Sequence, residues 1–160
     1  IIGEVVSSTA VRDALAKGDM KKVNSLIGRH FSLQGRVTKG AGRGAGLGFP
    51  TANLEVDPNH ILPSDGVYAT KAHIDGKSYP SITNIGKNPT FGVNRRTVET
   101  YLLNYQGDLY GRELTIDIIE RLRGEKRFDN VEELKKQMTA DVKQGKEILE
   151  SLALNSVEKR

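Results

Sequence analysis

Between Lys39 and Asn53 the chain sets five glycines at alternate positions (Gly40, Gly42, Gly44, Gly46, Gly48) and closes the run with Phe49-Pro50-Thr51-Ala52-Asn53. A backbone without Cβ atoms can approach a polyphosphate closely. Glycine also reaches the positive φ angles that aim successive N–H groups at an anion. Lys39 and Arg43 add positive charge. The run fits neither common nucleotide fingerprint. Ala45 and Leu47 occupy positions where G-x-G-x-x-G needs its third glycine, and Lys71 stands where a Walker A motif ending in Gly76-Lys77-Ser78 needs its first. A glycine-rich run taken alone is more often a surface loop than a phosphate cradle.

Thr51 and Asn53 are two apart, so in an extended segment both side chains face the same way. A hydroxyl and an amide carbonyl are hard oxygen donors of the kind Mg²⁺ accepts beside water and phosphate oxygens. Spacing alone leaves a metal pair and the end of a turn equally open. Glu99 lies on a strand-like segment with Val98, Thr100 and Leu102 facing the other way. That placement is consistent with the mouth of a barrel, although a lone strand glutamate is usually a solvated one.

The elements that must carry these residues are mostly strands. Leu33, Gly35 and Val37 alternate with polar residues, and Val67–Ile74 and Ser78–Thr83 flank Asp75-Gly76, a strong two-residue hairpin signal. Thr97–Asn104 predicts another strand, turned at Gly107-Asp108, and Leu114–Leu122 follows it. Upstream, the Ser7-Ser8-Thr9 cluster can cap a short helix broken at Gly18-Asp19, and Met20, Val23, Leu26 and Ile27 predict a second. Asn130, with Glu133 three residues on, opens a long helix whose stripe is Leu134, Met138, Val142, Leu149 and Leu152. Strands and helices do not alternate, which argues against a Rossmann or P-loop sheet. The expected fold is mainly β: a small six-stranded antiparallel, Greek-key-like barrel with a long C-terminal helix.

Composition narrows the classes. The chain has 160 residues, no cysteine and three dispersed histidines, so disulfides, thiolate nucleophiles and histidine metal clusters are excluded. No apolar run approaches the roughly 20 residues that span a bilayer, and Ile1-Ile2-Gly3-Glu4 does not resemble a signal peptide. A cytoplasmic setting and no membrane partner are expected. The formal charge of +4 favours anionic ligands, but four Phe, five Tyr and no Trp are few for stacking nucleic-acid bases. No nucleic-acid partner is expected.

Four motifs then occur in order. Gly42–Asn53 reads Gly-Arg-Gly-x-x-Leu-Gly-Phe-Pro-Thr-Ala-Asn; Asn88-Pro89-Thr90-Phe91-Gly92 precedes Val98-Glu99-Thr100; Leu109-Tyr110-Gly111 follows; and Leu122-Arg123-Gly124-Glu125-Lys126-Arg127-Phe128-Asp129 is last. Together they resemble the riboflavin kinase family over residues 31–150. Val6-Ser7-Ser8-Thr9-x-x-Arg12 is similar to the segment closing the adenylyltransferase module of bacterial bifunctional riboflavin kinase/FAD synthetases. The His-x-x-His or His-x-Gly-His motif of that module is missing from the sequence.

The resemblance implies that residues 1–27 are the end of that module and its linker, and that 28–160 form a riboflavin kinase domain. It implies transfer of the ATP γ-phosphate to the ribityl 5′-hydroxyl of riboflavin, giving FMN and ADP, with no FAD synthesis by this chain. Glu99 would be the catalytic base and Thr51 and Asn53 the Mg²⁺ ligands. Gly40, Gly42, Arg43, Gly44 and Gly46 would wrap the ATP phosphates, with Leu102, Asn104 and Tyr110 near the adenine. Arg123, Lys126 and Phe128 would belong to a mobile segment over the flavin. The rival reading is a flavin- or nucleotide-binding barrel without catalysis, which has no need of Glu99.

Overall fold

A computed structural model of the chain describes residues 8–38, 51–87, 96–105 and 107–158. The glycine run at 40–48, Arg43, the motif at 88–92 and the β-branched start at 1–6 lie outside the described residues.

Two short helices come first, α1 (Ser8–Lys17) and α2 (Met20–Ile27). Gly18, at φ 71°, turns the chain between them, and the Asp19 side chain caps α2 by accepting from the Lys22 N–H at 3.2 Å. Gly28 ends α2 in the left-handed conformation, its N–H bonded to the Asn24 carbonyl. Asn24 then fastens the hairpin to the sheet: its Nδ2 donates to the Ile118 carbonyl at 3.0 Å and its Oδ1 accepts from the Phe31 N–H at 2.8 Å.

Six strands follow: β1 (Phe31–Thr38), β2 (Ala52–Val56), β3 (Gly66–Ile74), β4 (Lys77–Lys87), β5 (Arg96–Leu102) and β6 (Glu113–Arg123). They close antiparallel in the order β1-β2-β5-β4-β3-β6. Strands β3, β4 and β5 are sequential neighbours and β2 returns beside β5, which is the expected Greek key. Asp75 and Gly76, at φ 53° and 76°, supply the two positive angles of the β3–β4 turn.

The barrel interior takes alternate residues from every strand, among them Leu33, Leu54, Tyr68, Ile85, Val98, Leu114, Ile116 and Ile118. Ala14, Leu15, Met20 and Val23 of the helical hairpin join the same cluster. A chain of buried hydroxyls runs among them, Ser81 to Thr70 (2.7 Å), Thr70 to Thr83 (2.9 Å) and Thr83 to Thr100 (2.9 Å). Mutual hydrogen bonding makes their burial tolerable.

The last element, α3 (Val131–Glu158), begins where Asn130 Oδ1 accepts from the Glu133 N–H at 2.9 Å, as the capping pattern predicts. It packs outside the barrel on β3, β4 and β6. Gly145 makes that packing close, since a Cβ there would lie 2.4 Å from Ile82 Cδ1. Glycine inside an exposed helix costs about 1 kcal/mol relative to alanine. The close approach of helix to barrel accounts for it here. No described helix is long and apolar enough to cross a membrane.

Candidate active site

The site follows from strand register. Along β5, Val98, Thr100 and Leu102 are buried inward, so Glu99 points out of the barrel, as the alternation predicts. It therefore stands on the outer wall beside α3 and not at the barrel mouth. Antiparallel pairing places Asn53 of β2 directly beside Glu99, and Asn84 of β4 on its other side. The row continues through Thr38, opposite Asn53, and through Val67, opposite both Asn84 and Arg123. Neighbouring strands lie about 4.8 Å apart, so these side chains form one band around the outer wall.

The wall and α3 enclose a cavity of about 90 Å³, lined by Thr51, Asn84, Glu99, Tyr101, Arg123 and Asp141 together with Val67, Ile82, Met138 and Val142. A larger hollow of about 600 Å³ opens on the far side of Thr51, between Thr38, Leu102, Tyr105 and Tyr110. Thr51 borders both. Glu99 and Arg123 thus share one chamber, while Leu102 and Tyr110 share the other. Asn104 lines neither; it adopts φ 61° at the turn after β5.

Asn53 also lies behind the lining, and its environment is distinctive. Its Nδ2 donates to Thr38 Oγ1 at 3.2 Å, and its Oδ1 is buried with no hydrogen-bond partner among the described residues. An unpartnered buried carbonyl is costly, and such a group calls for a missing donor or cation. This carbonyl and the hydroxyl of Thr51, two residues before it, are hard oxygens of the kind Mg²⁺ accepts. Asn84 Oδ1 is likewise buried and without a partner among the described residues.

At the other end of the cavity, Arg123 is held by Asp141 of α3. Its Nε donates to Oδ1 at 2.9 Å and its Nη2 to Oδ2 at 2.8 Å, and Gln137 Nε2 adds a bond to Oδ1 at 3.0 Å. Asp141 is only 3% exposed, so this pair is sheltered from solvent. The Phe128 ring takes two cations, with Arg123 Cζ and Lys126 Nζ each 5.8 Å from its centroid. Arg123, Lys126 and Phe128 therefore do gather, with Lys126 and Phe128 against Lys136 and Gln137 at the start of α3.

Asp141 and Asn84 are absent from the sequence expectations. Asp141 left a signal, since it sits on the apolar stripe between Met138 and Val142, where a carboxylate needs a partner. Asn84 left none, because only the register of β4 on β5 brings it to Glu99. Among the described residues no group of three or more His, Asp or Glu could hold a metal.

Comparison with known proteins gives the chain's family. The bifunctional riboflavin kinase/FMN adenylyltransferase of Pseudomonas fluorescens is 44% identical over 86% of this chain and 44% of its own length. That of Bacillus subtilis is 37% identical over 85% of the chain and 44% of its own length. The chain thus spans about half the length of the curated relatives it matches. Among solved structures, one from Streptococcus pneumoniae described as a macrolide-efflux protein superposes with a TM-score of 0.83 at 32% identity, over 88% of this chain and 46% of that one. Riboflavin kinase from Trypanosoma brucei shares the fold at a TM-score of 0.56 and 23% identity, over 81% of this chain and 85% of its own. The riboflavin kinase family model matches residues 27–149, which include both chambers and the Glu99 row. The chain belongs to the riboflavin kinase family.

Proposed function

We propose that this chain transfers the γ-phosphoryl group of ATP to the ribityl 5′-hydroxyl of riboflavin, yielding FMN and ADP. The observation that carries the reading is the junction of the two chambers. Thr51 borders both, Glu99 lines the smaller, and Asn53 stands in register beside Glu99 with an oxygen that has no partner among the described residues. Phosphoryl transfer needs little covalent help from the protein; it needs aligned reactants and compensated charge.

In this reading the adenosine occupies the hollow at Leu102 and Tyr110, and the phosphates pass Thr51 towards Glu99. The glycine run would wrap them with backbone N–H groups. Glu99 accepts a hydrogen bond from the 5′-hydroxyl, orients its lone pair and takes the proton as the new P–O bond forms. Thr51 Oγ1 and Asn53 Oδ1 would hold Mg²⁺. When bound, Mg²⁺ neutralises charge on the phosphate oxygens.

The flavin takes the cavity under α3, against Ile82, Tyr101, Met138 and Val142. At about 90 Å³ that cavity falls well short of the roughly 300–1,000 Å³ of small-molecule sites. Entry of the three-ring flavin therefore requires the cavity to widen between the barrel wall and α3. Arg123 and Lys126, stacked on Phe128, are then placed to meet the ring system and the product phosphate.

We further read residues 1–27 as the end of an adenylyltransferase module, supported by the bifunctional character of the relatives and their greater length. This chain alone would not make FAD, and its setting would be the cytoplasm. Incubation with riboflavin, ATP and Mg²⁺, followed by chromatography for FMN, tests the proposal. Binding of both ligands without FMN would leave a non-catalytic barrel.

A further inference from the structure

Glu99 has two in-register neighbours, and only Asn53 is used by the mechanism above. Asn84, on the other side, lines the flavin cavity and keeps its Oδ1 buried with no hydrogen-bond partner among the described residues. Its strand neighbours are built otherwise. Ser81 and Thr83 turn into the barrel and are satisfied by the hydroxyl chain, and Ile82 packs under Gly145. Apolar Val67 flanks Asn84 on β3. An amide in that position wastes hydrogen-bonding capacity unless a ligand completes it.

We propose that Asn84 is a specificity-determining residue of the phosphoryl acceptor site, accepting a hydrogen bond from the hydroxyl on the carbon next to the reacting one. The inference rests on the kinase reading and extends it to the polyol chain of the acceptor. Side chains directly opposite on paired strands have Cβ atoms about 4.5–5.5 Å apart. Two side chains so spaced can hold hydroxyls on adjacent carbons of one open chain, Glu99 taking the reacting hydroxyl and Asn84 its neighbour. A site built to bond a hydroxyl rejects an analogue lacking it, because the protein group is then left unpaired. Asn84 would thereby select open-chain polyols over simple hydroxyalkyl chains and fix which hydroxyl faces Glu99.

The test compares riboflavin with 4′-deoxyriboflavin on the wild-type chain, Asn84→Ala and Asn84→Thr, reading kcat/KM for phosphorylation and flavin affinity by fluorescence quenching. The wild type should lose about 10-fold in both readouts on the deoxy compound. Asn84→Ala should lose about 10-fold on riboflavin and treat the two flavins alike. Asn84→Thr, with a shorter hydroxyl and good strand propensity, should fold and also discriminate less. Equal discrimination by wild type and variants overturns the proposal. So does a fall in kcat of the same size for both flavins, which would mean that Asn84 only positions Glu99. If both flavins bind but neither is phosphorylated, the kinase reading fails, while the ratio of affinities still decides the role of Asn84.

Discussion

Replacing Asp141 with asparagine tests how Arg123 is held in the cavity wall. The carboxylate accepts three contacts from Arg123, at 2.8, 2.9 and 3.2 Å, and one from Gln137 at 3.0 Å. Asparagine keeps the shape and one carbonyl, but turns an NH₂ donor towards the donors of Arg123 and removes the carboxylate charge that this guanidinium pairs with. Breaking one partner of a buried ion pair costs about 3–5 kcal/mol, because the other charge is left uncompensated. The Arg123 side chain keeps 20% of its exposure, so water relieves part of that penalty and the lower end, about 3 kcal/mol, applies. For a chain of this size the corresponding fall in Tm is roughly 6–12 °C. Thermal and urea unfolding followed by circular dichroism measure it. The double replacement Arg123→Met with Asp141→Leu should recover most of the loss, since an apolar pair of similar volume carries no desolvation penalty. An Asp141→Asn chain within about 1 kcal/mol of wild type would refute the reasoning.

Further predictions concern the site and the frame. Glu99→Gln should lower turnover by about 10²–10⁴-fold with ADP affinity intact, and near-normal turnover would remove it from the role of base. Asn53→Ala should weaken nucleotide binding in Mg²⁺ and leave binding in EDTA unchanged; calorimetry distinguishes the two. Gly35→Ala should destabilise the barrel by several kcal/mol, because the new Cβ would lie 2.1 Å from the Glu55 backbone oxygen, which has no rotamer to escape into; a Tm equal to wild type would contradict that. Acid stability should depend on Asp117. Burial alone would raise its pKa, but hydrogen bonds from Ser32 at 2.6 Å and His73 at 2.8 Å, with the charge of His73, outweigh burial and hold it below the usual carboxylate range. Its stabilisation is therefore complete above about pH 3.9, the unfolded value, and lost as pH falls through the lower folded value. Asp117→Asn should lower stability near neutral pH and flatten its decline in acid, as urea titrations at several pH values would show.

The parts of this molecule legible from sequence are those where local chemistry decides. Asp75-Gly76 makes its turn because both residues tolerate positive φ, and Asn130 caps α3 because its oxygen reaches the Glu133 N–H. Alternation correctly turned Glu99 away from Val98 and Thr100. What stayed hidden depends on register and on helix placement. Whether Glu99 faces a mouth or an outer wall depends on where α3 lies, and α3 lies across β3 and β4 because Gly145 lets it approach Ile82. Asn84 meets Glu99 through pairing between strands, to which a single sequence gives no direct access. Strand ends moved for similar reasons: β4 runs to Lys87, past the predicted Thr83, because β5 remains paired with it as far as Arg96.

The central claim is that this barrel performs phosphoryl transfer at Glu99 and is more than a flavin or nucleotide receptor. The most direct measurement is a time course of FMN and ADP formation from riboflavin and MgATP, run side by side on the chain and on its Glu99→Gln variant. The account predicts FMN and ADP in equal amounts from the chain, with little of either from the variant although both ligands still bind. FMN formed at equal rates by the two, or bound riboflavin and ATP with no FMN from either, would contradict it.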